Sequence, residues 1–484
     1  MPSLPVLARL PLLAFLAVVL AGPSRAESAA PLTLDDCVRR ALARNFDVEI
    51  GRFDTANAAA SVDLARAAFD PTIRASTTRS GSRVEGAANA SSSWDTRLGV
   101  SQYLVTGADV SLSTALNRSA HRFVSPYNPA YDSDLSLSLR QPLLKGAGSA
   151  STRAALDQAR LGVDRAGLLY RGTLLDLVRD TEIAYYQLHF ARRQLVVRGL
   201  SLEAAQRLLD ENRAKRDTGV LTDLEVLTAE VGVATQQRNV LLAEQQLRNR
   251  EDALRALIGQ FELDAPLGDT AFAATTVDTP SVDETFARAK AAQPEYLALQ
   301  KSIDQLGLAL AAARRDRLPR LDLVAAGGYN VERGSASDAF HDLPGSDGYS
   351  WQAGLELAYP LGSRGDRARL LQATNNLSRT RLQLRQFEQD ILVSARSSVR
   401  AVETSREAVR VAALAAGLAE KQYELQKARF DAGLSTARLV LDAQTDLDDA
   451  RVNELSSQVD LLSALAQLRR LEGRSLAAYG APAS

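Results

Sequence analysis

The chain has 484 residues, 57 basic against 58 acidic, and a net charge of −1, so it holds no excess of charge for recruiting nucleic acid or an anionic surface in bulk. One Cys excludes a disulfide framework, and one Met and two Trp among many Ala, Leu, Arg and Gln point to long helices rather than several compact cores. Three scattered histidines, His121, His189 and His341, give neither metal-ligand spacing nor an acid–base pair, so an enzyme is not expected and no cofactor or metal site is read.

Residues 10–21 form an apolar run directly after Arg9, and Pro23-Ser24-Arg25-Ala26 supplies small residues of the kind a signal peptidase reads. Residues 1–26 therefore read as a signal peptide, cleaved after Ala26, and the protein as exported. The run falls short of the roughly 20 apolar residues of a membrane anchor. Cys37 lies too far from the cleavage point for a lipoprotein and reads as a buried thiol within a helix. No later window resembles a transmembrane helix. A closed β-barrel, with strands of about ten residues, is then the remaining way to span a membrane.

The segment 32–69 is helical by pattern. Thr33 is placed to cap it, the pair Asp35-Asp36 suits its first turn, and Leu34, Cys37, Val38, Ala41, Leu42, Val48 and Ile50 recur at helical spacing. It stops at Pro71. A second copy covers 283–317 and stops at Pro319: Asn45-Phe46-Asp47 aligns with Gln293-Pro294-Glu295 and Pro71 with Pro319, at a constant offset of 319 − 71 = 248. The chain is thus an internal duplication, 27–259 and 282–484, joined by a Gly-, Asp-, Thr- and Pro-containing linker at 260–281.

After each proline the period drops to two. In 320–360, Leu321, Leu323 and Ala325 alternate, a polar stretch follows at 330–348, and then Trp351, Ala353, Leu355, Leu357 and Tyr359 alternate before Pro360. In 72–142, Ile73 and Ala75 open a weak strand, and Leu135, Leu137 and Leu139 alternate before Pro142. Between them the first half holds an additional hairpin, 94–103 and 110–117, turned at Thr106-Gly107-Ala108-Asp109. Six strands, with long polar loops on one side and short or helical connections on the other, have the asymmetry of a membrane barrel. Trp94 and Trp351 at one end, Tyr103 and Tyr359 at the other, read as two interfacial aromatic girdles. A periplasmic β-sandwich is the competing reading of these strands. The Gly-rich stretches at 146–148 and 362–365 lack a phosphate-loop Lys-Ser/Thr ending and read as strand-to-helix transitions.

Proline-free helical patterns then run from about 150 to 216 and from 364 to 431, each on the order of 100 Å at ~1.5 Å per residue. Each turns back at a glycine: Asp217-Thr218-Gly219-Val220-Leu221-Thr222-Asp223-Leu224-Glu225-Val226-Leu227 in the first half, and Asp431-Ala432-Gly433-Leu434-Ser435-Thr436-Ala437-Arg438-Leu439-Val440-Leu441-Asp442-Ala443-Gln444 in the second. Gly219 and Gly433 suit a left-handed helix end, and Thr222 or Thr436 can cap the next helix. The hairpins return at 223–258 and from 436 to about 478.

The export signal, the twofold helix–strands–helix repeat, the Pro-terminated strands and these two turns resemble the TolC-like outer-membrane efflux proteins, over nearly the whole mature chain. The resemblance implies a mainly α homotrimer: an outer-membrane β-barrel set in lipid, continuing into a trimeric α-helical barrel through the periplasm of a Gram-negative cell. Its helical tips would meet a periplasmic adaptor and an inner-membrane pump, as the exit duct of an efflux or type I secretion system. Family members usually give four strands per chain, so the hairpin at 94–117 leaves eighteen or twelve strands in the trimer. By motif position the entrance constriction falls on Glu225 and Asp442, and the adaptor contact on Gly219, Leu221, Gly433 and Leu434. Pro71, Pro142, Pro319 and Pro360 mark the strand–helix junctions. Leu439 stands where a second carboxylate is common, and Phe430 and Ser435 replace a Tyr and an Arg tied to the closed state, so a closed-state latch does not carry over. A non-transporting periplasmic coiled-coil scaffold is the alternative function.

Overall fold

The computed structural model describes residues 32–83, 85, 90–120, 127, 129–261, 267–270 and 280–479. The expected signal segment 1–26 and His121 lie outside them.

The first helical segment is two helices, α1 (Leu34–Arg44) and α2 (Phe46–Arg66), because Asn45 adopts extended angles (φ −72°, ψ 138°) and its side-chain oxygen accepts from the Asp47 N–H at 2.8 Å. Thr33 caps α1 by accepting from the Asp36 N–H at 3.1 Å. Six strands form one antiparallel meander in chain order: β1 (Thr72–Arg83), β2 (Ala90–Tyr103), β3 (Asp109–Ala120), β4 (Ala130–Pro142), β5 (Arg320–Arg333) and β6 (Tyr349–Ala358). The β2–β3 hairpin is an integral part of this sheet. β1 and β6 are its edges, exposed along their full lengths.

A short turn of helix, α3 (Ser149–Thr152), leads into α4 (Ala154–Asp217), which folds back as α5 (Asp223–Leu257). The second half repeats the plan with α6 (Val282–Ala292) and α7 (Pro294–Arg315), again two helices where one was expected, since Gln293 is extended and Pro294 starts the new helix. The polar stretch between β5 and β6 is less open than its composition suggests: β5 runs on to Arg333, and α8 (Ala336–His341) packs against β3, β4 and β5. α9 (Arg364–Asp431) and α10 (Ala437–Leu471) close the chain, followed by a 3-10 turn at Ser475–Tyr479. α10 ends at Leu471, short of the expected 478, and so matches α5 at 35 residues.

α4 is the spine. It packs against α1 and α2 over one half and α5 over the other, and against α7 and α10 on a second side. The largest apolar cluster sits at mid-height, where Leu177, Tyr185 and Leu188 of α4 meet Cys37, Ala41 and Val48 and the end of α5 at Leu254 and Ile258. Cys37 is fully buried there, and burial pushes its thiol up to about 12.

Candidate functional site

Both tips are built on one hydrogen-bond pattern. In the first, Gly219 N–H donates to Arg216 C=O (2.8 Å) and Val220 N–H to Lys215 C=O (2.9 Å); in the second, Gly433 N–H donates to Phe430 C=O (3.0 Å) and Leu434 N–H to Arg429 C=O (2.8 Å). The two crossed bonds satisfy carbonyls that a helix end leaves open, and they require the left-handed angle that glycine takes without strain. Gly219 and Gly433 have φ of +75° and +72°.

The tips are fastened to one another. Leu208, Phe430, Ala437 and Val440 form a buried cluster with Leu221, Tyr423 and Leu441 against it, and Lys215 Nζ lies 4.5 Å from the Phe430 ring centroid. Leu221 is thus partly buried by this packing, whereas Val220, Leu224 and Leu434 are strongly exposed at the tips. Glu225, in the first turn of α5, is half-buried, and its backbone C=O accepts from Asn212 Nδ2 at 3.3 Å. Asp442 is exposed one turn into α10, with Arg438 Nε 3.9 Å away. Higher up, Gln444 donates to Ser201 C=O at 2.8 Å, tying α10 to α4. Beside it Asp448 is buried, which pushes its carboxyl above the ordinary range, against the opposing pull of the Ser201 hydroxyl, Arg198 and Arg451.

At mid-height a second pair of glycines does a different job. Gly259 (φ +66°) and Gly473 (φ +68°) end α5 and α10 in the same crossed pattern as the tips. A Cβ on Gly259 would lie 2.6 Å from the Arg44 carbonyl oxygen, and one on Gly473 2.9 Å from Ala292 Cβ. Each glycine is pressed against the residue just before a helix break, and Asn45 Nδ2 adds a bond to Leu257 C=O at 3.1 Å. The repeat spacing, 433 − 219 = 473 − 259 = 214, is the sequence signal that would have found this joint. Close by, the 475–479 turn is stapled to α4: Tyr479 Oη donates to the fully buried Glu182 at 2.6 Å and Arg469 lies 3.2 Å from it.

The sheet divides its chemistry by face. Directly opposed residues share a face, so the register joins Ile73, Val100, Leu112, Leu137, Gly327 and Trp351 into one row, and Ala75, Leu98, Thr114, Leu135, Tyr329 and Tyr349 into another. This face is apolar. The reverse face carries serine ladders, Ser111–Ser138 at 2.6 Å and Ser113–Ser136 at 2.9 Å, and a cavity of about 610 Å³ lined by Asp95, Arg97, Asn117, Asp132, Asp134 and Glu332. Near the helices it bears an ionic cluster in which Arg140 and Arg320 each donate to Asp322 at 2.8 Å. All seven strand carboxylates, Asp95, Asp109, Asp132, Asp134, Asp322, Glu332 and Glu356, lie on this polar face.

The register also locates the four girdle candidates. Trp94 and Trp351 stand on the apolar face, and Tyr359 follows the last residue of β6. Tyr103 does not join them: its register puts it on the polar side, where it stacks on Phe69 with centroids 5.9 Å apart. Pro71 and Pro319 immediately precede β1 and β5, Pro142 ends β4, and Pro360 follows β6. His189 sits in α4 with Nδ1 3.0 Å from Thr270 Oγ1, and His341 ends α8 at the opposite end of the sheet from the helices. Asp35 and Asp36 are engaged by Arg39 at 2.6 and 2.9 Å. Among the described residues no group of three His, Cys, Asp or Glu side chains could hold a metal ion, and no helix is long and apolar enough to cross a membrane.

A family described as "Outer membrane efflux protein" matches residues 107–260 and 286–474. The chain belongs to that family. It is 28% identical over 352 residues to the pyoverdine export outer membrane protein OpmQ of Pseudomonas putida, covering 71% of this chain and 70% of OpmQ. To the outer membrane protein TolC of Vibrio cholerae it is 26% identical over 324 residues, covering 67% and 73%. In three dimensions it superposes on the outer-membrane channel OprN with a TM-score of 0.71 at 18% identity, covering 91% and 89% of the two chains. As a member of this family the protein is an outer-membrane efflux channel that extends into the periplasm, and its relatives are channel proteins rather than enzymes.

Proposed function

We propose that three copies of the chain close edge to edge, β6 of one against β1 of the next, into a barrel of 3 × 6 = 18 strands that continues downward as a tube of helices. The observation that carries this reading is the two-faced sheet with open edges. A membrane tolerates neither unpaired strand edges nor carboxylates facing lipid, and closure removes both costs by turning the polar face inward around water. Signal-peptide removal after Ala26 and an equatorial linker at 260–281 complete the expected chain plan.

The same closure gathers the tips around one axis. Three copies each of Glu225 and Asp442 would then ring the entrance, where crowded carboxylates favour passing cations. The outward apolar residues beside Gly219 and Gly433, namely Val220, Leu224 and Leu434, suit docking by a periplasmic adaptor that opens the ring on behalf of an inner-membrane pump. The duct itself is passive and takes the cargo its pump delivers.

Single-channel recording in planar bilayers tests this. Purified protein is expected to form trimers and discrete pores, with cation preference reduced by Glu225→Gln and Asp442→Asn together. A coiled-coil scaffold without a transport role would give no conductance.

A further inference from the structure

The apolar face of the sheet is not uniformly apolar. Over the strand halves nearest the helices it shows Ile73, Ala75, Leu98, Val100, Leu112, Leu137, Leu139, Leu323 and Leu355, with no charge. Its other end carries four arginines. Arg83 and Arg333 are the last residues of β1 and β5, Arg118 is third from the end of β3, and Arg79 is fifth from the end of β1. The register alternates them with aromatics: Arg79 opposes Trp94, Trp94 opposes Arg118, Arg118 opposes Tyr131, and Tyr131 opposes Arg333. Tyr349 opens β6 on the same face.

No strand carboxylate shares a face with these arginines, because every one lies on the reverse. Arg118 Nε donates to Tyr131 Oη at 3.1 Å, and its guanidinium lies 5.9 Å from that ring centroid. Arg79 and Arg83 are exposed. Arg333 alone meets an acid, Asp342 of the following loop, at 2.8 Å. Arg79, Arg83 and Arg118 therefore lie on the face that the barrel reading turns to lipid, without an acidic partner among the described residues, Arg79 and Arg83 exposed and Arg118 half-buried beside Tyr131. A lipid phosphate offers each such group a charge-matched, two-pronged acceptor. Trp and Tyr occupy the same depth because their amphipathic rings settle at the interface.

We propose that Arg79, Arg83 and Arg118, interleaved with Trp94 and Tyr131, bind the phosphate-bearing headgroups of lipids in the leaflet at the far end of the barrel from the helices. The band is a one-sided anchor. Nothing comparable occurs on this face near the helices, so the band also fixes which leaflet meets which end. This inference rests on the barrel reading above.

The test uses the full-length protein in detergent, with bisphosphorylated lipid A as probe and phosphatidylcholine and inorganic phosphate as controls. Lipid A is expected to raise the melting temperature and remain bound in native mass spectrometry, with apparent affinity falling at least tenfold in the variant R79Q/R83Q/R118Q. Phosphatidylcholine and inorganic phosphate should do neither. A variant that binds lipid A as well as the parent, an equal loss in the polar-face control R74Q/R97Q, or displacement of lipid A by millimolar inorganic phosphate would each overturn the proposal. Pore formation by the parent separates the two failures: pores with unchanged lipid binding overturn the anchor alone, and absent pores overturn the barrel with it.

Discussion

α4 and α9 come from duplicated sequence and differ little in length, 64 against 68 residues, yet α4 buries eighteen residues and α9 only eight. The cause is position. α4 lies between α1, α2 and α5 on one side and α7 and α10 on the other, whereas α9 packs mainly against α6, α7 and α10 and meets α4 at the tip, through Phe430. What α9 leaves uncovered is ordered: Leu371, Leu382 and Val393 recur at eleven residues, and Val411, Leu418 and Leu425 at seven, all exposed. Both intervals return to one helix face. One copy of the duplicated helix is thus mostly buried within the chain, and the other leaves an apolar stripe uncovered, which the proposed trimer would cover.

The strongest way to break the comparison is to charge that stripe. Leu371→Asp, Leu382→Asp and Val393→Asp together are expected to convert trimers into folded monomers, read by light scattering after size exclusion; a trimer that persists would show that the stripe meets no second copy. At the tip where the two hairpins join, Phe430→Ala should cost about 3–5 kcal/mol and lengthen open times in single-channel records. Truncating α4 where it is fully buried, Leu175→Ala, should cost about 2–5 kcal/mol in a thermal melt, whereas Leu382→Ala on α9 should change monomer stability by less than about 0.5 kcal/mol.

The duplication itself sharpens the comparison at smaller amplitude. Gly219→Ala and Gly433→Ala sit at matching angles with open space around the added Cβ, so each should cost about 1–2 kcal/mol, and equal costs would confirm that the two turns are energetic copies. The least effect is expected at Asp448. Burial raises its carboxyl pKa in the fold above the unfolded value, so its contribution to stability is full below the ordinary aspartate range and is lost as pH rises through the folded value. Asp448→Asn should therefore raise the melting temperature modestly at pH 7, with the gain vanishing below about pH 4; an unchanged difference across that range would sink the assignment.

Sequence periodicity reveals much of this and misses particular things for particular reasons. The long helices and both glycine turns are plain because apolar spacing and one conformational requirement identify them. The breaks at Asn45 and Gln293 are hidden because a single extended residue scarcely disturbs an apolar pattern that resumes on the next turn, although Pro294 marks the second copy. Tyr103 misleads because it lies at a strand end, where parity with Trp94 must be counted rather than inferred from its aromatic ring. Leu221 misleads likewise: a residue beside a turn glycine looks exposed until a second hairpin, distant in sequence, packs over it. The arginine band is legible only through strand register, which pairs residues from both halves of the chain.

The joint at Gly259 and Gly473 has a mechanical corollary. The lower rods end against the upper ones, and no covalent backbone runs through the seam from α5 into α2 or from α10 into α7. In the proposed tube, torque applied at the tips would be taken up where one helix end bears on another's broken shoulder, and the sheet would keep its circumference while the entrance dilates. The expectation is that distances measured by paired spin labels across the tips change with opening, while those across the strands stay fixed.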